Sequence, residues 1–152
     1  MTIEWTSDWE TGIEVIDAQH RQIFDYINAL DEAMTHDSRA AVGKVLDQLT
    51  DYTVSHFAFE ENLLEEAHYE FQASHKVIHD TFIRRIATYK KDHADGMDVG
   101  DQLRDMISTW LYHHIKRDDM AYVNAVQDQI ESIVGNKKEG GWFKRSISAF
   151  FK

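Results

Sequence analysis

Seven side chains with metal-binding chemistry occupy positions where a helical protein would otherwise carry apolar core residues. They are five histidines and two carboxylates: His20, His56, Glu60, His75, His79, His114 and Asp119. A core does not hold so many polar groups unpaired, because each one buried without a partner is strongly destabilising. The natural shared partner is a metal, and imidazole with carboxylate suits iron, zinc or copper. The chain has no cysteine, which argues against a purely structural zinc site.

Two pairs of these residues are separated by four positions in the sequence. His56 and Glu60 form one pair, and His75 and His79 form the other. On a helix this spacing puts both side chains on one face. A single pair is a weak signal, since a core histidine with a satisfied hydrogen bond is equally common. Two pairs together with two further histidines favour one shared site. The other histidines are predicted to be ordinary solvated residues, in turns (His36, His68, His93) or off the apolar seam (His113).

Apolar residues at alternating spacings of three and four predict the four helices that must carry this site. The predicted spans are about Asp17 to Thr35, Val42 to Ala67 with Ser38 as a plausible N-cap, Phe71 to Tyr89, and Val99 towards Val134. Four helices joined by short turns pack most simply as an up-down-up-down antiparallel bundle. We therefore predict an all-α fold, with residues 1–134 as the bundle and its N-terminal arm. In that arm, Trp5 and Trp9 are expected to cover the core.

Antiparallel packing would bring the seven groups to one level of the bundle. His20 and His56 stand at similar distances from the first turn, as do His79 and His114 from the third. The predicted layer lies near the end of the bundle that holds the turn between the second and third helices. Seven groups exceed the usual octahedral limit, so two ions are implied. If Glu60 bridges them together with the second carboxylate, five histidines divide unequally, and one ion keeps a vacant position for a small ligand.

The ligand pattern resembles that of the hemerythrins, in particular the single-domain bacterial ones. It spans roughly residues 5–125 and consists of Ile16-Asp17-Ala18-Gln19-His20, His56-x3-Glu60, His75-x3-His79, and His114-x4-Asp119 followed by Tyr122. The resemblance implies a non-haem di-iron pair with an oxo or hydroxo bridge, which binds O2 reversibly. It also implies the role of each ligand. His75, His79 and His114 would hold the six-coordinate iron, His20 and His56 the open one, and Glu60 and Asp119 would bridge.

The same resemblance implies an O2 pocket lined by Phe57, Phe82, Trp110 and Leu111, although plain core packing explains these residues equally well. It also conflicts with ideal helix geometry at one ligand. Asp118, four residues after His114, shares its face, whereas Asp119 is turned roughly 140° away. Following the family pattern, we predict a local widening of the helix between His114 and Asp119, such as a π-type turn.

Two other functions remain open for such a centre. One is a di-iron enzyme that acts on peroxide or nitric oxide through the vacant position, and the other is an iron store or a structural metal bundle. Related di-iron oxidases use more carboxylates, in paired Glu-x-x-His motifs that this chain lacks. The expected function is therefore reversible O2 binding without catalysis.

Charge and composition limit the partners and the compartment. The net charge of −11 disfavours nucleic acid, which requires a basic surface. The absence of cysteine, of a signal-like N-terminus and of a long apolar run predicts a cytoplasmic protein with no transmembrane segment.

Residues 135–152 form a basic C-terminal extension. From residue 137 onwards the chain carries +4, which leaves −15 on the preceding body. Within residues 142–152, apolar residues at 142/143, 147 and 150/151 oppose basic ones, and two glycines precede them as a hinge. We expect a short amphipathic helix that folds back on the acidic body or contacts a protein partner or an anionic membrane surface.

Overall fold

The protein is built from four antiparallel helical rods, as seen in a computed structural model that describes residues 3–36 and 39–137. Its elements are a 3₁₀ turn at Ser7–Trp9, α1 (Glu14–Thr35), α2 (Arg39–Glu66), α3 (Gln72–Ala94), α4 (Gly100–His113), a π-helical segment (His114–Asp119) and α5 (Met120–Lys137). The last three run on without a break and make up the fourth rod. The described residues contain no strand, so the predicted all-α fold class is confirmed.

Ion pairs between helices show the antiparallel arrangement. Arg104, near the start of α4, lies 2.8 Å from the carboxylate of Asp31, near the end of α1. Lys90, near the end of α3, lies 2.9 Å from Asp47 in the first third of α2. Each pair joins the late part of one helix to the early part of another. α1 and α2 are joined by a short connection, residues 35–39, and pack against each other, so they too run antiparallel and the order is up-down-up-down.

α1 begins one turn earlier than the predicted start at Asp17. The carboxylate of Asp17 is buried and accepts hydrogen bonds from the backbone N–H of Thr11 at 2.8 Å and of Gly12 at 3.2 Å. Asp17 therefore ties the incoming chain to the first turn, and the helix already starts at Glu14. Gly12 has a φ of 89°, a conformation that side chains disfavour, so the tight entry depends on glycine.

Two histidines, His68 and His93, were predicted to lie in turns, and the structure confirms this for the first and contradicts it for the second. His68 lies in the turn between α2 and α3, two residues after the end of α2, with a φ of 58°, and is exposed, as predicted. His93 was expected in a turn but lies in α3, which continues to Ala94. There its Nε2 donates a hydrogen bond to the carbonyl of Arg39 at 3.1 Å. The last residues of α3 therefore continue the helix instead of forming a turn, and His93 contacts the start of α2.

The N-terminal arm covers the core, as predicted for its tryptophans. Trp5 and Trp9 both pack edge-on against Phe24 of α1, with ring centroids 5.1 and 4.7 Å apart, respectively. Only the 3₁₀ turn interrupts its extended path. The arm therefore adds no fifth helix to the bundle.

The apolar core consists of two clusters with a polar layer between them. The larger one includes Ile23, Phe82 and Leu111. The smaller one includes Ile16 and Leu63, together with residues of α5. The predicted metal ligands lie between these clusters, so the site is enclosed by apolar packing on both sides. His75 stands in the first turn of α3, which places the layer towards the end of the bundle that holds the turn between α2 and α3.

Two predictions fall on residues outside the described ranges: the Ser38 N-cap and the amphipathic helix at 142–152. α5 continues to Lys137, past the proposed boundary at 134/135. Within residues 3–36 and 39–137, no helix is both long and apolar enough to cross a membrane.

Candidate metal centre

The structure brings all seven predicted ligands into one buried layer. Each is between 0 and 3% exposed: His20, His56, Glu60, His75, His79, His114 and Asp119. Each of the four rods contributes at least one of them, because the apolar stripe of every rod carries polar residues at this level. Bulk water is therefore excluded from the groups that would meet a metal.

The ligand atoms form two groups that share a carboxylate. One group consists of Glu60, His75, His79 and His114, and the other of His20, His56 and Glu60, with ligand atoms within 4.8 Å of one another in each group. The structure thus divides the histidines three and two. An unequal division of the five histidines is what the sequence predicts if both carboxylates are shared between two ions.

Both carboxylates reach the two groups with separate oxygens. Glu60 places Oε1 2.7 Å from Nε2 of His75 and Oε2 3.8 Å from Nε2 of His56. Asp119 places Oδ1 3.2 Å from Nε2 of His114 and Oδ2 3.2 Å from Nε2 of His20. Each carboxylate therefore spans the three-histidine and the two-histidine groups.

Asp119 reaches this layer because the helix widens ahead of it. Residues His114–Asp119 form a π-helix, which confirms the predicted widening. With more residues per turn, Asp119 rotates back towards His114 and is fully buried, whereas Asp118 remains partly exposed. Asp118 still contacts His114, but at Nδ1, on the ring edge away from the cluster.

The donor set fits a pair of cations better than it fits hydrogen bonding. Both ring nitrogens of His20 and both carboxylate oxygens of Asp119 are buried without a well-aligned hydrogen bond. Nε2 of His79 and Nε2 of His114 approach to 3.0 Å. Two ligand atoms at right angles around one ion, each about 2.1 Å from it, lie about 3 Å apart. The cluster therefore has the spacing of ligands that surround a metal.

Three histidines have their outer ring nitrogen fixed by an acceptor. Nδ1 of His56 donates to Oε1 of Gln19 at 2.5 Å, and Nδ1 of His79 donates to Oε2 of Glu61 at 3.0 Å. Nδ1 of His114 donates to Asp118 at 3.0 Å. In the neutral ring, each bond selects the tautomer whose Nε2 lone pair faces the cluster, as a metal-binding imidazole requires.

Burial and charge set the protonation of the layer. Burial lowers the pKa of His56 to about 3, so its imidazole is neutral at physiological pH. Burial raises the pKa of Asp119, but the neighbouring histidines outweigh it and hold the pKa at about 2. The pKa of Glu60 is held well below its usual value by hydrogen bonds from His75 and His79, against burial. Both carboxylates are thus anionic, and no lysine or arginine among the described residues pairs with them.

A narrow cavity of about 10 Å³ touches the cluster. It is lined by all four predicted pocket residues, Phe57, Phe82, Trp110 and Leu111, together with His20, Ile23, Leu49, Thr53, His56, Ile107 and His114. The aromatic walls are packed tightly, with Phe82 stacked on Trp110 at a centroid distance of 3.9 Å. Both histidines of the two-histidine group border this space.

Four polar residues around the cluster were assigned no role from the sequence, although Gln19 belongs to the ligand pattern and Asp118 was weighed against Asp119. Gln19, Glu61 and Asp118 hold histidine rings from outside, and Thr53 lines the cavity. Gln19, Glu61 and Asp118 are each next to a predicted ligand in the sequence, and this position could have indicated them as partners of the site. Their partners were not evident, because the bonds of Gln19 and Glu61 join residues 37 and 18 positions apart.

A four-helix bundle that gathers five imidazoles and two shared carboxylates defines a class: the helical-bundle proteins with a buried cluster of metal-binding side chains. Comparison with known proteins gives the family. Residues 11–126 match the hemerythrin family, described as the hemerythrin HHE cation binding domain. The chain therefore belongs to the hemerythrin family and is a hemerythrin-type iron protein.

Two relatives and one solved structure show the extent of the likeness. The chain is 48% identical over 147 residues to the bacteriohemerythrin of Pseudomonas paraeruginosa, covering 97% of this chain and 96% of that one. It is 35% identical over 120 residues to the bacteriohemerythrin of Methylococcus capsulatus, covering 78% and 92%, respectively. A crystal structure of wild-type hemerythrin superposes with a TM-score of 0.76 at 32% identity, covering 80% of this chain and 95% of that chain.

Proposed function

We propose that this protein binds O2 reversibly at a non-haem di-iron centre. His75, His79 and His114 would hold one iron, His20 and His56 the other, and Glu60 and Asp119 both. When bound, the iron pair supplies the electrons that make O2 capture reversible. The observation that carries the proposal is the three-and-two division of the histidines, with a small cavity beside the group of two.

The protein's own residues perform three tasks at this site. The apolar clusters on either side exclude water, which would otherwise promote irreversible oxidation. Gln19, Glu61 and Asp118 orient three imidazoles. Phe57, Phe82, Trp110 and Leu111 shape a cavity that admits only a small ligand. None of these tasks requires an acid or base that transfers a proton to a substrate.

The test is anaerobic loading with ferrous iron, a metal count per chain, and absorption spectra over repeated cycles of O2 and argon. We expect two irons per chain and a spectral change that appears with O2 and disappears without it. Rapid irreversible oxidation, with turnover of peroxide or nitric oxide, would favour an enzyme. Spectra that respond to neither O2 nor azide would favour iron storage or a structural metal.

We further propose that residues 1–134 form the metal-binding unit of a cytoplasmic protein and that 135–152 form a separate extension. The family match ends at residue 126, and the extension is basic whereas the body is acidic, which supports this division. Deletion of residues 141–152 should leave iron and O2 binding intact and remove binding to a protein partner or an anionic membrane. Loss of iron on deletion would instead place the tail in the core.

A further inference from the structure

Among residues 3–36 and 39–137, Thr53 is the one hydroxyl-bearing residue that lines the cavity beside the metal cluster. It is 3% exposed, and its Oγ1 has no hydrogen-bond partner. It stands three residues before His56 on α2, so both side chains project from the same face of that helix. Apart from Thr53, the histidines and the indole of Trp110, the lining is apolar.

Four other threonines in the helices satisfy their hydroxyls on the backbone. Thr35, Thr50, Thr81 and Thr88 each donate to the carbonyl four residues earlier, at 2.7 to 3.2 Å. This bond is the usual one for threonine in a helix. Thr53 does not make it, although it is far more buried than the exposed Thr81 and Thr88. Its hydroxyl is therefore left available on the side of the cavity.

A buried hydroxyl without a partner destabilises the protein, so a partner is expected from the space that it borders. The cavity, at about 10 Å³, has room for roughly one water molecule or the end of a ligand of two or three atoms. In the described part of the chain, apart from Thr53 itself, the histidine rings are the only side chains of the lining with an acceptor atom, and they face the cluster with Nε2. A small molecule that enters the cavity would meet Thr53 as its hydroxyl donor.

We propose that Thr53 determines ligand specificity, by donating a hydrogen bond to a small ligand that carries negative charge on the atoms inside the cavity. This inference rests on the proposed function, since it assumes that the cavity is the ligand site. An O–H donor favours an anion over a neutral molecule of the same size, because hydrogen bonds to charged acceptors are the stronger ones. Azide, a linear triatomic anion, is the probe.

The main test compares Thr53→Val and Thr53→Ser with the unchanged iron-loaded chain by absorption titration with sodium azide. Valine keeps the shape and removes the hydroxyl, and should raise the Kd for azide about tenfold, the equivalent of one net hydrogen bond. Serine keeps the hydroxyl and should stay within about twofold. The matched control is Thr50→Val on the same helix, since the Thr50 hydroxyl is bonded to the carbonyl of Leu46 and lies outside the cavity. It should leave the Kd unchanged.

A second readout uses the metal-free chain and needs no ligand. If the Thr53 hydroxyl has no protein partner, Thr53→Val should leave the unfolding temperature unchanged or raise it by up to about 4 °C. Thr50→Val removes a bonded hydroxyl and should lower it. A lower unfolding temperature for Thr53→Val, matching that of Thr50→Val, would show that the hydroxyl serves the fold and would overturn the inference.

The two proposals fail in distinguishable ways. Equal azide affinity in the unchanged chain and in Thr53→Val would overturn the role of Thr53 and leave O2 binding intact. An iron-loaded chain that binds neither azide nor O2 would overturn both. An equal rise of the Kd for azide in the valine and serine variants would also overturn the hydroxyl's role. Serine keeps the hydroxyl, so the effect would then come from a change in packing.

Discussion

Nδ1 of His114 donates a hydrogen bond to Oδ2 of Asp118 at 3.0 Å, while Nε2 of the same ring faces the metal layer. The adjacent residue, Asp119, approaches the ring from the opposite edge, with Oδ1 3.2 Å from Nε2. Two consecutive aspartates thus serve the two nitrogens of one imidazole. The π-helical turn allows this, because in an α-helix the residue five positions after His114 would be turned roughly 140° away from it.

This arrangement predicts different outcomes for two matched substitutions. Asp119→Asn should reduce the iron content from two per chain to one or fewer, since it removes a buried charge placed between both ion positions. Asp118→Asn should retain two irons but release them to a chelator roughly 10- to 100-fold faster, as expected for loss of an outer partner of a metal ligand. Iron analysis and chelator kinetics measure both effects. Asp128→Asn, on the exposed face of α5, is the control. Equal iron loss from both variants would contradict the assignment.

Tyr122 supports the other shared carboxylate. Its hydroxyl donates to Oε2 of Glu60 at 2.9 Å, and both residues are fully buried. Tyr122→Phe should destabilise the metal-free chain by about 1.5–3 kcal/mol, the usual cost of losing a hydrogen bond to a charged group. Urea unfolding measures this change, with Tyr112→Phe as the control, because Tyr112 is 47% exposed. If both variants unfold at the same urea concentration, the Tyr122 bond contributes nothing.

Gln19 offers a neutral acceptor to His56, whereas His79 and His114 meet carboxylates. Gln19→Glu should make His56 a more basic ligand and favour the oxidised iron. A tenfold preference corresponds to a midpoint potential about 60 mV lower and to faster oxidation in air. Redox titration measures the shift. Gln22→Glu adds the same charge to α1 at a half-buried position outside the cluster and should have a smaller effect. Similar shifts in both variants would indicate a general charge effect.

Removal of the metal should loosen the layer that it occupies. The unpartnered groups of His20 and Asp119 remain buried in the metal-free chain, and a ligand bound tightly to the native state stabilises it. We expect the unfolding temperature to fall by roughly 10 °C or more on chelation. Hydrogen exchange should accelerate around the ligands, while amides near Leu30, Leu46 and Leu103 in the larger apolar cluster keep their protection. Uniform acceleration along the chain would contradict this picture.

Much of the fold and of the site could be predicted from the sequence, for a specific physical reason. The 3.6-residue period records which face of a helix is buried, so apolar stripes predict four helices and show that polar residues interrupt them. The four-residue spacing of His56 with Glu60, and of His75 with His79, fixes two pairs before any helix is packed. Antiparallel packing of the helices then brings the two pairs to the same level of the bundle. Helix ends were less well predicted, because Asp17 anchors α1 through backbone N–H groups that the period does not reveal.

The sequence by itself determined the helical class, the four rods and a layer of five imidazoles and two carboxylates, since these depend on residue type and spacing along one chain. Only the tertiary structure decided which oxygen of Glu60 faces which group, which acceptor fixes each imidazole, and that Thr53 has no partner. These facts depend on the rotation of one helix against another and on side-chain rotamers at their contact. Both are set by packing of all four rods at once, and no local spacing encodes them.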